Sequence, residues 1–119
     1  MSVSIVNLTR GTVLAESAEL AASFLARGLG LMGRRRLSEG GGLILYPTNN
    51  IHMLFMRFPI DAVFVDREHY VVGVRPHLRP WISIAWCGQA RYTIELPVGT
   101  IAASATEIGD RLELTPPLR

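Results

Sequence analysis

Three polar side chains interrupt an otherwise apolar run: His52, Arg57 and Asp61 all fall within "IHMLFMRFPIDAVFVD", Ile51 to Asp66. An imidazole and a carboxylate can pass protons, and a guanidinium can hold an anion or neutralise a buried carboxylate. Strand alternation would put His52, Leu54, Met56 and Phe58 on one face and Ile51, Met53, Phe55 and Arg57 on the other. Both faces are then largely apolar, so such a strand calls for cover on both sides. A charge buried there without a partner costs several kcal/mol. Asp61, just past Pro59, is the nearest partner for Arg57. Two readings follow. In one, an Arg57–Asp61 contact clamps the Pro59 corner and His52 is satisfied by a backbone carbonyl. In the other, the three residues share a cleft with Arg79 and Trp81 of "LRPWISIAW", where the tryptophans Trp81 and Trp86 form either an aromatic wall or core.

Other motifs carry less chemistry. "GLGLMG" spaces Gly28, Gly30 and Gly33 as G-x-G-x-x-G, but a dinucleotide site needs that motif to leave a strand and open a helix. Here it follows a helical pattern and runs into "RRRLSEGGG". What survives is a weak anion site, glycine amides beside Arg34, Arg35 and Arg36, set against an ordinary helix end and a solvated turn. His52, His69 and His77 show no metal-ligand spacing, so no metal and no cofactor is expected. Cys87 lies in an apolar run and reads as an inert, buried thiol. No serine sits in a G-x-S-x-G elbow.

The elements that must position these residues are mostly strands. "VSIVN" and "TVLA" open the chain, and "LILY", "IHMLFMRF", "DAVFV", "YVVGV", "WISIAWC", "RYTIEL" and "RLEL" follow. Turn residues separate them at Pro47 to Asn50, Asp66 to His69, Arg75 to Pro80, Gly88-Gln89, Pro97 to Thr100 and Gly109-Asp110. One helix is expected in "SAELAASFLARG", capped by Ser17 and ended by Arg27 and Gly28. Many short strands with one helix in the N-terminal half predict a mainly β fold. It would be a small β-sandwich or jelly-roll, or a partly closed barrel, forming a single domain over residues 1–119.

Composition sets the outer bounds. With 119 residues, 49% hydrophobic and 18% charged, the chain can bury a core and is not a disordered polymer. The N-terminus lacks a basic start followed by a long apolar core, and no run is long and apolar enough to span a membrane, so a cytoplasmic protein is expected. The net charge is only +2. All basic residues are arginine, and aromatics do not interleave with a basic stripe, which argues against nucleic acid.

Taken together, "FLARGLGLMGRRRL", "GGGLILYP", "IHMLFMRFPIDAVFVD", "LRPW", "IELPVGTI" and "IGDRLEL" resemble, in this order and over nearly the whole chain, the prokaryotic family catalogued as domain of unknown function 192. The resemblance implies a compact, mostly β domain with one helix, and no assigned reaction. It implies that Met32, Arg36, His52, Met56, Arg57, Pro59, Asp61, Glu95, Gly99 and Asp110 occupy recurrent pattern positions. Met53 and Ile82 stand where relatives usually carry a threonine and an arginine. The reading that results is a ligand-binding or interaction module. Its partner would be a small ligand or a protein, and its cleft would lie near the Ile51–Asp66 strands, lined by His52, Arg57, Asp61, Arg79 and Trp81. The alternatives are a hydrolase-like enzyme using His52 and Asp61 as an acid-base pair, and a structural partner acting through an apolar surface.

Overall fold

Alternation governs the first strand. β1, Ser2–Asn7, buries Val3, Ile5 and Asn7 and leaves the residues between them partly or fully exposed. The computed structural model describes residues 2–21, 37–52, 57–80 and 84–118. After β1 come β2 (Thr12–Ala21), β3 (Gly41–Leu45), β4 (Asn50–His52), β5 (Ile60–Val65), β6 (Val71–Leu78), β7 (Ile84–Trp86), β8 (Tyr92–Pro97), the short helix α1 (Thr100–Ser104) and β9 (Leu112–Thr115). The fold is mainly β, as expected, and each strand overlaps an apolar run picked out by its pattern, with β2 and β6 extending well beyond theirs.

Seven strands form one sheet in the order β6-β5-β8-β3-β2-β1-β9, while β4 and β7 pair as a separate ribbon. The sheet curls until its outer strands approach. Tyr70 bridges Arg111, the Val71 N–H donates to the Asp110 carbonyl at 2.8 Å, and the Leu112 N–H donates to the His69 carbonyl at 2.9 Å. The result is a curled half-barrel, the partly closed barrel among the expected architectures. Inside the curl lie Val3, Ile5, Ile44, Val63, Ile94 and Leu96, with Ile101 of α1 packed against them. On the outer face, Leu43, Leu45, Ile60, Ala62 and Phe64 meet Ile51 and Ala85 of the β4–β7 ribbon. Covered on both sides, β5 is buried at every position, which is why "IDAVFV" reads as a nearly continuous apolar run. Each fully buried valine, isoleucine or phenylalanine there contributes about 1.5–3 kcal/mol.

Two expectations need correction. Residues 17–21, expected to begin a capped helix, are the second half of β2. They pair in parallel with β3, Ser17 opposite Gly41 through Ala21 opposite Leu45, and the Ser17 hydroxyl bonds that of Ser2 rather than a helix amide. Pairing with β3 along the whole segment, and with β1 as far as Glu19, outweighs a helical propensity worth only tenths of a kcal/mol per residue. The remainder of that expected helix, together with the G-x-G-x-x-G stretch and Arg34, Arg35 and Arg36, lies outside the described residues. Second, Arg75 to Pro80, expected as a turn, continues β6 as far as Leu78. A proline is tolerated because β6 is an outer strand, and its register shifts between Ile60 and Ala62 of β5.

Candidate functional site

Asp61 is 1% exposed, and both of its oxygens are occupied. Oδ1 accepts the His77 N–H at 2.9 Å. Oδ2 accepts the Gly99 N–H at 3.1 Å and the Ile101 N–H at 2.9 Å. The carboxylate therefore pins the bulged end of β6, where His77 takes φ 52, to the entry of α1. Arg57 is exposed in the segment leading into β5, and no ion pair joins it to Asp61 among the described residues. The expected clamp of the Pro59 corner is replaced by three backbone amides. Sequence logic correctly required partners for a buried carboxylate, but amides brought in by topology do not appear in a residue pattern.

Buried and accepting three backbone N–H groups, the Asp61 carboxylate is tied into the fold through both oxygens, a structural task for the residue expected as the acid-base partner of His52. The backbone of His52 pairs with Ile84 in the ribbon; its side chain and Trp81 lie outside the described residues. Arg79 is exposed just beyond β6. From the pairing of Ile60 with Leu78, Arg57 and Arg79 flank one end of the β5–β6 pair. On the ribbon, Ile84 and Trp86 are 76% and 66% exposed, so Trp86 is not core. Cys87 is half-buried, with its Sγ 3.7 Å from the Val72 carbonyl.

The opposite end of the same strands carries a cluster not anticipated from sequence. β3, β5 and β8 lie side by side, with Leu45 opposite Thr93 and Val65 opposite Tyr92. Tyr46, Arg91 and the turn after Val65 are thereby brought to one place. Asp66 shapes that turn, its Oδ1 accepting the N–H groups of Glu68 and Tyr70, both at 2.9 Å. His69 completes it at φ 69, a left-handed conformation uncommon outside glycine and asparagine.

Tyr46, Arg67, His69, Arg91 and Leu118 line an open concavity of about 290 Å³. The Arg91 guanidinium lies over the Tyr46 ring, 5.1 Å from its centroid, with its Nε 3.5 Å from the Tyr46 hydroxyl. His69 Nδ1 is 2.8 Å from the Tyr92 hydroxyl. Burial pushes the Tyr92 phenol up, and the negative charges of Asp66 and ionised Tyr46 push it further, so it stays protonated. When that phenol donates to Nδ1, the ring proton sits on Nε2 and is available as a donor. A second concavity of about 330 Å³ lies on the other side of His69, along β9, where Leu8, Arg111 and residues 112–115 surround it.

A third polar cluster is structural. Asp110 Oδ2 accepts from Asn7 Nδ2 at 3.0 Å, Arg10 Nε at 3.0 Å and the Glu107 N–H at 2.9 Å, tying the end of β1 to the turn before β9. Through the Glu107 N–H the aspartate also bonds the backbone of its own turn.

Comparison with known proteins gives a consistent result. The family model described as DUF192, Uncharacterized ACR, matches residues 5–114. A UPF0127 protein of Thermococcus sibiricus is 34% identical over 113 residues, covering 92% of this chain and 73% of its own length. One from Pyrococcus furiosus is 34% identical over 110 residues, covering 90% and 94%. Two crystal structures share the fold. A putative transcription regulator from Sinorhizobium meliloti has TM-score 0.82 at 24% identity, over 95% of this chain and 92% of that one. A protein of unknown function from Novosphingobium aromaticivorans has TM-score 0.82 at 22% identity, over 95% and 84%.

Proposed function

The chain belongs to the DUF192 family, and from that premise we propose that it is a small-molecule-binding domain whose site is the concavity at the Asp66 end of β5. The observation that carries the reading is the convergence of Tyr46, Arg67, His69 and Arg91 on one open space of about 290 Å³. Two of these side chains are already oriented by neighbours, Arg91 by the Tyr46 ring and His69 by the buried Tyr92 hydroxyl. A few preorganised polar groups around a concavity are what a binding site requires, because their ordering cost is met during folding. The Arg57 and Arg79 end offers less support, since Asp61 there is committed to backbone amides.

The test is an amide-detected NMR screen of the full chain against a mixed library of neutral, cationic and anionic fragments. Shift changes confined to Tyr46, Arg67, His69 and Arg91 are expected for the hits. Changes confined to Arg57, Arg79 and the β4–β7 ribbon, or no hit at all, would overturn the reading.

A further inference from the structure

We infer that the ligand of this concavity is a small organic anion, bound through a carboxylate or phosphoryl group by Arg67 and Arg91. The inference rests on the binding reading above and adds the ligand's chemistry.

Charge pairing is the first ground. Among the described residues the ion pairs are those of Arg10 with Glu107 and Asp110. Arg67 and Arg91 line the concavity, and no carboxylate of the described residues stands at salt-bridge distance from either. The acidic groups nearest in sequence are Asp66 and Glu68 on the turn, and Asp66 Oδ1 is already taken by two turn amides. Among the described residues, two guanidiniums line this space against the nearby charge of Asp66, whose Oδ1 is turned to its own turn amides, and that balance makes the recess electropositive.

Geometry is the second ground. Two contacts with Tyr46, its ring beneath the Arg91 guanidinium and its hydroxyl 3.5 Å from Nε, hold that guanidinium in place. The remaining N–H groups of a planar fork match two oxygens of one carboxylate or phosphoryl group. His69, held at Nδ1 by Tyr92, adds a neutral donor when its proton is on Nε2. Tyr46 and Leu118 supply an apolar wall for the rest of the molecule, so an anion with a short hydrocarbon or aromatic portion fits better than a bare ion. The recess is one pocket rather than a basic stripe, which sets a small anion apart from a nucleic-acid backbone.

Calorimetry or NMR titration of the full chain with benzoate, phenyl phosphate and the neutral analogue benzamide tests this. Saturable binding of at least one anion is expected, with benzamide at least ten-fold weaker and the anion's affinity falling as salt rises. Whether benzoate or phenyl phosphate binds tighter identifies the carboxylate or phosphoryl source. Arg91→Gln and Arg67→Gln should each weaken the anion at least ten-fold, while Arg75→Gln on β6 should not. Arg67 is exposed, so its variant remains decisive if Arg91→Gln melts early. Benzamide binding as tightly as the anions would overturn the anion assignment while leaving the binding site standing. Fragments that never perturb the pocket would overturn the site itself. Saturable binding of duplex DNA, with no response to either small anion, would also overturn the assignment.

Discussion

A single carboxylate shows how far residue-level logic reaches. From sequence, Asp61 needs a partner and Arg57 is the obvious one. In the fold, three N–H groups converge on it and Arg57 is exposed. Asp61→Asn keeps the shape but replaces one acceptor oxygen by an NH2 group facing donors, and it removes the charge from every remaining bond. A loss of about 2–4 kcal/mol in urea unfolding is expected. Arg57→Met should fall within about 0.5 kcal/mol of the parent. Adding Arg57→Met to Asp61→Leu should recover nothing, because the stranded groups are amides rather than a guanidinium; recovery of half the loss would restore the clamp. Tyr92 offers a second check. Its raised pKa means that the folded state holds the phenolic proton more tightly than the unfolded chain. This contribution is fully present below the ordinary value of 10.0 and is lost as pH rises beyond it. Tyrosine absorbance at alkaline pH should show one phenol ionising only as the chain unfolds, and Tyr92→Phe should abolish that late step.

At the scale of elements, strand existence was legible because apolar alternation and turn residues leave a local trace. The helix expected from Ser17 was misread over residues 17–21 because "SAELA" satisfies a helical period as well as a strand, and only pairing with β1 and β3 decides between them. The turn expected at Arg75 to Pro80 was misread for a related reason. Proline signals a break, but on an outer strand it displaces no ladder bond. The junction of β8 and α1 makes the local geometry testable. Gly99 has φ 96 and donates its N–H to Asp61, and beyond its chain neighbours no atom lies within 4 Å of where a Cβ would stand. Gly99→Ala therefore meets no clash and pays only in backbone conformation. A loss of about 1 kcal/mol is expected, read as a lower urea midpoint with unchanged slope. No loss would mean that the turn relaxes without strain.

Across the whole molecule, what the sequence could not reveal is which strand ends meet. The candidate pocket joins Tyr46, Arg67, His69 and Arg91 through the adjacency of β3, β5 and β8; its local signals, an Asp-led turn and aromatic residues at strand ends, are common in any β fold. The same holds for the tie between the chain's two halves. Asn7 and Arg10 reach Asp110 across about a hundred residues, near where the curled sheet brings β6 and β9 together. Burial pushes the Asp110 carboxyl up, but hydrogen bonds from the Arg10 and Asn7 side chains and the Glu107 amide, with the charge of Arg10, outweigh it and hold the group below its ordinary 3.8. The sign follows from linkage. A carboxyl depressed in the folded state binds fewer protons there than in the unfolded chain. Its stabilisation is therefore complete above pH 3.8 and is lost as pH falls through the lower, folded value. Asp110→Ala should cost about 2 kcal/mol at neutral pH, since the part-buried Glu107 amide and the Arg10 guanidinium lose their acceptor and the buried Asn7 side chain loses one of two. The parent should also lose stability more steeply than the variant below pH 3.8, so that the two unfolding free energies converge in acid. Parallel curves down to pH 2 would show that the Asp110 charge does not close the curled sheet, leaving that closure to the Tyr70–Arg111 bridge and the packing of Leu112 and Leu114 in the interior.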